Sequence, residues 1–243
     1  MIVAAHDEAE RIGATLAALA DAFPQARLWV ADDGSRDATG AIARAAGATV
    51  VRSESVIGKG GAMSAAARAA LDARAAGRAM PEPQPAGAAT RSAAASASAR
   101  AAVYVLCDGD LAQSARALGP LVEAVRDGRA DMAVAVFARR VGGGFGVALG
   151  FARWAIRRRC GLVTTAPISG QRALGAGALG DVLPFAAGYG MEVAMTIDAV
   201  RAGARVVELE LELSHRAGGR SPAAFAHRAR QLADFVRVYA RRR

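Results

Sequence analysis

The stretch Leu-Trp-Val-Ala-Asp-Asp-Gly-Ser-Arg-Asp, residues 28–37, decides the fold class. Its apolar start predicts a short buried strand over Leu28–Ala31, its Asp-Gly-Ser centre predicts a turn, and a helix is predicted over Arg36–Ala46. A strand, a turn and a helix in this order form the first half of a βαβ unit. The carboxylates Asp32 and Asp33 follow the strand directly, where open parallel sheets bind their ligands.

The same rhythm continues along the chain, because short apolar runs bounded by Gly, Asp or Ser alternate with alanine-rich helical patterns. This alternation predicts an α/β fold with a mostly parallel central sheet and helices on both faces. Further strands are predicted at Met1–Ala5, Thr49–Arg52, Val103–Cys107, Asp131–Phe137 and Val206–Leu213. Further helices are predicted at Glu8–Ala22, Lys59–Ala76, Ser114–Arg126, Gly190–Ala202 and from Pro222 to the end. We expect a single domain over residues 1–243.

Composition excludes several protein classes. A chain of 243 residues with 53% hydrophobic and 22% charged residues is neither collagen-like nor disordered nor a disulfide scaffold. Cys107 and Cys160 are interpreted as two small buried thiols in a reducing compartment. The longest apolar run, Val141–Ile156, is interrupted by Arg153 and is shorter than the roughly 20 residues that span a bilayer. We expect a cytoplasmic protein, or one attached peripherally to the inner face of the cell membrane.

The formal net charge of +9 is unevenly distributed. No acidic residue lies between Asp131 and Asp181, whereas seven arginines do. They are Arg139, Arg140, Arg153, Arg157, Arg158, Arg159 and Arg172. The apolar segment Phe145–Ile156 with its basic end fits a helix in a lipid headgroup layer, and it fits equally a helix packed on a neighbouring domain or subunit. A non-enzymatic nucleic-acid-binding protein is the alternative from a different class, and it is disfavoured because no basic patch is interleaved with stacking aromatics.

Candidate ligand-binding residues follow three predicted strands. The first group is Ala5-His6-Asp7-Glu8, and the second contains Asp32 and Asp33, with Asp37 placed to cap the following helix. In the third group, Asp108-Gly109-Asp110 offers paired carboxylates of the kind that Mg2+ or Mn2+ uses when bound to a diphosphate. A chance Asp-Gly-Asp turn is the alternative for this group. Lys59, within Gly58-Lys59-Gly60-Gly61, is the single lysine of an arginine-rich chain, which suggests a specific task for its ammonium group.

The order of these motifs resembles the family 2 glycosyltransferases of GT-A fold. The motifs are residues 3–12, residues 30–39, Gly58-Lys59-Gly60-Gly61 and Asp108-Gly109-Asp110-Leu111. Later stretches look like the acceptor half of the same family, at residues 169–174, 188–192 and 214–221. The pattern is most similar to the branch that transfers hexoses to dolichyl or polyprenyl phosphate. The resemblance covers nearly the whole chain except residues 79–100, with 1–111 as the nucleotide-sugar half and 112–243 as the acceptor half.

The resemblance implies a role for each matched residue. The nucleotide pocket is expected to be lined by Ala4, Ala5, His6 and Glu8. Asp33, together with Asp32, is expected to accept hydrogen bonds from the base, with Lys59 beside the diphosphate. Asp108 and Asp110 are expected to hold Mg2+ or Mn2+. The acceptor half contributes Arg172 and Arg216 to substrate binding, and His215 is expected as a third metal ligand or a partner of the diphosphate, with a plain surface histidine as its alternative.

The chain departs from the family pattern at two places. Ala4-Ala5-His6-Asp7-Glu8 stands where the family usually has Pro-Ala-Tyr-Asn-Glu, so an imidazole replaces an aromatic stacking partner. Gln171 stands where the family usually has an aromatic residue after the Ser-Gly pair. The first departure bears on base preference and the second on acceptor packing.

The implied reaction is a metal-dependent, inverting transfer of a hexose from a nucleotide diphosphate to a polyprenyl phosphate. Asp110 is expected to act through the metal, and Glu192 as the base or as the group that orients the acceptor. The alternative for Glu192 is a carboxylate that caps the first turn of its helix. The alternatives for the reaction are transfer to a small soluble acceptor, such as a phosphorylated or hydroxy acid, and nucleotidyl transfer on a related fold. The expected partners are a nucleotide sugar, a polyprenyl phosphate and an anionic membrane surface, and no nucleic acid.

Residues 79–100 lack Val, Ile, Leu and aromatic residues, so they are predicted to form a flexible surface insertion. Replacing this segment by a short turn is expected to leave the melting temperature nearly unchanged, because it has little apolar surface to bury. Thermal unfolding of the two proteins checks this. A large fall in the melting temperature would show that the segment packs against the body.

Overall fold

The computed structural model describes residues 1–79, 102–138, 146–214 and 222–242. Its sheet has the strand order β3-β2-β1-β4-β6-β5-β7. β6 runs antiparallel to its neighbours β4 and β5, and the other described strand pairs are parallel. The strands are β1 Ile2–Ala5, β2 Trp29–Asp32, β3 Thr49–Arg52, β4 Val103–Asp108, β5 Met132–Phe137, β6 Arg172–Gly175 and β7 Val206–Leu211.

The described helices connect these strands and lie on both faces of the sheet. They are α1 Ile12–Ala22, α2 Thr39–Ala45, α3 Lys59–Ala79, α4 Gly119–Arg126, α5 Val147–Cys160, α6 Ala176–Asp181, α7 Met191–Arg201 and α8 Pro222–Arg241. Short 3-10 segments cover Ala112–Leu118 and Gly188–Gly190. The predicted α/β fold with a mostly parallel sheet is confirmed.

The alternation of side chains along each strand divides the core between the two faces. Val3 and Val105 point to one face, where they join a cluster with Leu16 of α1 and Leu121 of α4. On the other face, Ile2, Tyr104 and Leu106 pack with Met63 of α3 and Met195 of α7. Small side chains such as Ala66 and Ala67 let α3 lie close to the sheet, which explains how a chain with few aromatics builds a dense core.

Several predicted boundaries change in the structure. The first two predicted helices begin later, at Ile12 and Thr39, because the preceding residues form hydrogen-bonded loops. The helix predicted over Ser114–Arg126 starts as a 3-10 segment and becomes α-helical at Gly119, where Pro120 occupies the first turn. The predicted insertion lies outside the described residues apart from Ala79, which ends α3.

Strand β6 was not predicted, although it lies inside the sheet between β4 and β5. Its sequence, Arg-Ala-Leu-Gly, is short and contains none of the β-branched residues typical of strands. It pairs on both edges, so tertiary hydrogen bonds outweigh its weak local preference.

The order of the strands sets the position of the site. From the adjacent pair β1 and β4 the sheet extends through β2 and β3 on one side and through β6 on the other. The carboxyl ends of the parallel strands β1, β2 and β4 lie at one edge, and a crevice at such a switch point is where open α/β sheets bind ligands. The predicted donor motifs follow these three strands.

Helices α5 and α8 form a separate layer against α7, in which Ile156 and Phe235 are buried. Trp154 of α5 lies 4.8 Å from the ring of Tyr239 of α8, and the Arg159 guanidinium lies 3.7 Å above the same ring. Trp154 is nevertheless 49% exposed. Among the described residues, no helix is long and apolar enough to cross a membrane.

Glu208 of β7 fixes the loop that leads from α5 to β6. Its carboxylate accepts hydrogen bonds from the Thr165 N–H at 2.8 Å, the Ala166 N–H at 3.0 Å and the hydroxyls of Thr164 and Thr165. Partial burial alone would raise the pKa of Glu208, but these hydrogen bonds outweigh it and lower the pKa below its usual value.

A lowered pKa means that Glu208 stabilises the fold above its unfolded-state pKa and that this contribution is lost as pH falls through the folded-state value. Glu208→Gln is expected to lower the free energy of unfolding by about 1 kcal/mol at pH 7, since the residue is partly exposed. The difference from wild type should shrink below about pH 4. Urea denaturation at pH 7 and pH 3.5 measures it, with the exposed Glu210→Gln as the control. An equal difference at both pH values would contradict this account.

Candidate active site

The end of β1 is held from both sides. The Gly109 N–H donates to the Ala4 carbonyl at 2.8 Å, and the Asp33 N–H donates to the Ala5 carbonyl at 3.0 Å. The loops that follow β2 and β4 are therefore fixed to β1, and the main-chain oxygens of Ala4 and Ala5 already have protein partners. A β-carbon at position 109 would lie 3.0 Å from the Ala4 oxygen, so glycine allows this close approach.

The loops after β1 and β2 are joined by hydrogen bonds between side chains and the main chain. The Asp7 N–H donates to Ser35 Oγ at 3.1 Å, and the Glu8 N–H donates to Thr39 Oγ1 at 2.8 Å. In return, Asp7 accepts from the Arg36 N–H at 2.7 Å. Asp37 accepts from the Thr39 N–H at 2.9 Å, but the N-cap residue of α2 is Ala38, so Asp37 binds the first turn from one residue further out. These contacts shape one rigid wall of the crevice.

Asp32 and Asp33 face different environments. Asp32 is fully buried, accepts from the Ser35 N–H at 2.9 Å and pairs with the Arg52 guanidinium at 2.7 Å. This corrects the expectation that Asp32 contacts the base, because both of its oxygens are used inside the protein. Asp33 Oδ1 accepts from the N–H groups of Ile57 and Gly58 at 2.7 and 3.2 Å, which holds the loop before Lys59.

His6 lies beside Asp33. Its Nδ1 is 2.8 Å from the Asp33 carbonyl oxygen, and its side chain is partly exposed. This hydrogen bond fixes the imidazole at the mouth of the crevice, where the family pattern has an aromatic residue.

Lys59 lies at the centre of the site. Its Nζ is 2.7 Å from Asp108 Oδ1 and 2.8 Å from Glu192 Oε1. Burial alone would lower the pKa of Lys59, but the charges of Asp108 and then of Glu192 outweigh burial and raise the pKa above its usual value. The ammonium group thereby connects the end of β4 with the first turn of α7.

Glu192 is buried, and its side chain is only 8% exposed. It lies in the first turn of α7, where a negative charge is favoured by the helix dipole, although no side-chain cap hydrogen bond is formed at this helix end. Its described partner is Lys59, 133 residues away in the sequence, which is a contact that helix capping does not predict.

Gln171 holds the other side of Asp108. The Gln171 Nε2 group donates to Asp108 Oδ2 at 2.8 Å, and its Oε1 accepts from Ser169 Oγ at 3.3 Å. A β-carbon at position 170 would lie 2.7 Å from both Asp108 Oδ2 and Lys59 Nζ. The Ser-Gly-Gln stretch thus has a physical reason: glycine makes room, and the buried amide orients the carboxylate. From the sequence alone, Gln171 is only a departure from the family pattern.

Of the predicted metal ligands, Asp108 and Asp110 lie within the described residues. Asp108, whose side chain is 33% exposed, ends β4, and Asp110 follows two residues later. Such hard carboxylate oxygens fit Mg2+ or Mn2+ that takes its remaining ligands from phosphate and water. Among residues 1–79, 102–138, 146–214 and 222–242, no three His, Cys, Asp or Glu side chains are grouped closely enough to hold a metal by themselves. His215 and Arg216 lie outside the described residues.

Arg172 does not reach the crevice. It is 1% exposed, and its guanidinium donates to the Ser169 carbonyl at 2.8 Å and to Thr196 Oγ1 at 2.9 Å. Burial lowers its pKa to about 10, against the opposing charges of Glu192 and then Glu208. This corrects the expectation that Arg172 binds substrate: it ties the loop before β6 to α7, below Glu192.

A pocket of about 540 Å³ lies elsewhere, between Phe185–Gly188 and α8. Its polar lining consists of Asp234, Arg237, Arg241 and Arg242. None of the predicted donor-binding residues lines it, so the geometry of the crevice rather than this pocket identifies the candidate site.

Residues 1–73 match the family model described as Glycosyl transferase family 2. A comparison with curated protein sequences finds no match. The matched segment contains Asp33 and Lys59 and ends before Asp108.

The fold resembles solved structures of glucosyl-3-phosphoglycerate synthase from Mycobacterium tuberculosis. The complex with Mn2+, UDP and phosphoglyceric acid has a TM-score of 0.68 and 22% identity, and the match covers 98% of this chain and 77% of that chain. The complex with Mn2+, UDP-glucose and glycerol 3-phosphate has a TM-score of 0.64 and 23% identity, covering 98% and 79%. These neighbours share the fold of this chain, and the family model matches its first 73 residues. The neighbours do not belong to the polyprenyl-phosphate branch that the motifs resemble.

Arg172→Ala tests the structural role of this arginine. We expect a loss of about 3 kcal/mol in the free energy of unfolding, because the buried Ser169 carbonyl and Thr196 hydroxyl lose their partner. Chemical denaturation measures it. Arg116→Ala is the control, since the exposed Arg116–Asp21 pair should contribute at most about 0.5 kcal/mol. Equal, small effects of both substitutions would contradict the structural role.

Proposed function

We propose that this protein transfers a sugar from a nucleotide diphosphate to a phosphorylated acceptor. The main support for the proposal is a cluster of charged side chains at the carboxyl edge of the sheet. The cluster consists of Asp33, Lys59, Asp108 and Glu192. Asp33 holds the loop that presents Lys59, and Lys59 contacts Asp108 and Glu192 at 2.7 and 2.8 Å. The ammonium group of Lys59 can contact a diphosphate, and its position between two carboxylates at the ligand-binding edge of the sheet suits a diphosphate that carries an uncharged sugar.

The donor is assigned to residues 1–111. We expect the Ala4–Ala5 segment at the end of β1, the His6 imidazole and the Glu8 segment to form the nucleotide side of the crevice, with Asp33 as the carboxylate nearest the base. Asp108 and Asp110 would hold Mg2+ or Mn2+, which supplies charge stabilisation to the departing diphosphate. UDP is the nucleotide that we propose, because the neighbouring structures are complexes with UDP or UDP-glucose.

The reaction breaks the bond between the anomeric carbon and the diphosphate oxygen and forms a bond from that carbon to an acceptor oxygen. Lys59 is placed to neutralise the negative charge that grows on the leaving diphosphate. When the acceptor is a hydroxyl, its proton must go to a base, and Glu192 is the carboxylate next to Lys59 that could take it or orient the hydroxyl. We expect inversion at the anomeric carbon, as the motif resemblance implies.

For the acceptor we propose a small phosphorylated acid of the phosphoglycerate class. Neighbouring structures contain phosphoglyceric acid or glycerol 3-phosphate as the second ligand. Arg216 and His215, assigned to the acceptor half at residues 112–243, are the cationic and imidazole groups that we expect to face the acceptor phosphate or the diphosphate.

A polyprenyl phosphate at the inner face of the cell membrane is the second candidate acceptor. The exposed Trp154 and Val147 of α5 lie on the same helix as the exposed Arg157 and Arg158. An apolar and basic helix surface of this kind fits an anionic lipid headgroup layer.

Two assays separate these possibilities. A thermal-shift screen of UDP-, GDP- and dTDP-sugars with and without Mn2+ identifies the donor, because binding to the folded state raises its stability. Nucleotide release is then measured with 3-phosphoglycerate and with a short polyprenyl phosphate in anionic vesicles. We expect turnover with the soluble acid and none with the lipid. The reverse result would select the lipid acceptor, and no stabilisation by any nucleotide sugar would contradict the proposed function.

Asp110→Asn tests the metal site with little change in size. We expect a decrease in the transfer rate on the order of 100-fold at limiting Mn2+, with unchanged thermal stability. The control is Asp131→Asn, since Asp131 precedes β5 and lies at the opposite edge of the sheet, where it pairs with Arg205. Full activity of Asp110→Asn at limiting metal would rule out Asp110 as a ligand.

A further inference from the structure

Lys59 occupies a position that a divalent cation would also need. Its Nζ lies 2.7 Å from Asp108 Oδ1, while Gln171 donates to Asp108 Oδ2 at 2.8 Å. Each oxygen of the proposed metal ligand therefore has a protein donor in this structure, and one of the two donors carries a full positive charge.

We propose that Lys59 competes with the metal for Asp108 in the nucleotide-free protein and that the donor diphosphate draws it away. The inference rests on the proposed function, since it concerns the residues assigned to Mg2+ or Mn2+ and to the diphosphate. It adds an order to binding: the nucleotide and the metal load together, and the metal alone binds weakly.

The competition follows from charge and space. An ammonium group in contact with Asp108 repels a divalent cation at the same carboxylate and occupies one of its oxygens. The main chain at Gly170 closes one side, because even a β-carbon there would lie 2.7 Å from Lys59 Nζ. The Lys59 side chain is 29% exposed, so the ammonium has access to a ligand that enters from solvent.

The second contact of Lys59, with Glu192, links the binding of the donor diphosphate to the acceptor side of the site. Glu192, 8% exposed, shares the same ammonium at 2.8 Å. When the diphosphate takes over Lys59, Glu192 loses this partner and becomes available to an acceptor group. Lys59 thereby couples the loading of the donor to the state of the acceptor carboxylate, and such coupling is reciprocal between the two ligands.

The experiment measures Mn2+ binding from the decrease of the EPR signal of free Mn2+, with and without UDP. Lys59→Met and Lys59→Gln are expected to bind Mn2+ without UDP about tenfold more tightly than wild type, because the competing charge is gone. Addition of UDP should strengthen Mn2+ binding less in these variants than in wild type. Arg205→Met removes one positive charge at the opposite edge of the sheet and is expected to bind Mn2+ like wild type.

Lys59→Arg is a further variant that keeps the positive charge at this position. It should bind Mn2+ without UDP as weakly as wild type, which separates the loss of charge from the loss of the lysine side chain.

Unchanged or weaker Mn2+ binding in both Lys59→Met and Lys59→Gln, while wild type still binds Mn2+ with UDP, would overturn the competition. Failure of wild type to bind UDP and Mn2+ even together would overturn the proposed function and this inference with it.

Discussion

The ammonium group of Lys59 joins parts of the chain that are far apart in sequence. It contacts Asp108 at the end of β4 and Glu192 at the start of α7, and both carboxylates depend on it for charge balance at a partly buried position. The contact requires the loop before β6 to pass very close to both side chains, and glycine at position 170 allows this because it has no β-carbon. Gln171 then orients the Asp108 carboxylate from the other side. The geometry of the candidate site follows from this single arrangement.

The sheet makes this arrangement possible. Because β1, β2 and β4 are parallel neighbours, their carboxyl ends meet at one edge, and main-chain hydrogen bonds from Asp33 and Gly109 fix the adjoining loops to β1. Asp33 in turn holds the segment before Lys59 through two N–H groups. Close packing of the loop after α6 against α3 also matters, since a β-carbon at Gly60 would collide with the Ala186 carbonyl. Backbone contacts thus position the loops that carry the residues of the candidate site.

The sequence allowed the α/β fold and most strands to be predicted, because apolar runs and strand-end carboxylates are local signals. Strand β6 was missed, since Arg-Ala-Leu-Gly has little strand preference and is held by its neighbours. In the site, the motif resemblance implies a diphosphate role for Lys59 and a metal role for Asp108, and the structure places these two side chains in contact. The burial of Asp32 and Arg172, and the contact of Gln171 with Asp108, depend on tertiary packing that no local pattern encodes. For the same reason, helix capping could not reveal that Glu192 pairs with Lys59.

The most direct test is NMR of protein labelled with 15N at lysine, which gives one side-chain Nζ signal because Lys59 is the only lysine. In the nucleotide-free protein we expect a protected NH3+ signal at neutral pH that persists above pH values where an ordinary lysine, with a pKa of about 10.4, loses its proton. This signal should shift when UDP and Mg2+ are added together. A signal that is broadened by exchange with water at neutral pH, titrates like a free lysine and ignores UDP and Mg2+ would contradict the central role of Lys59.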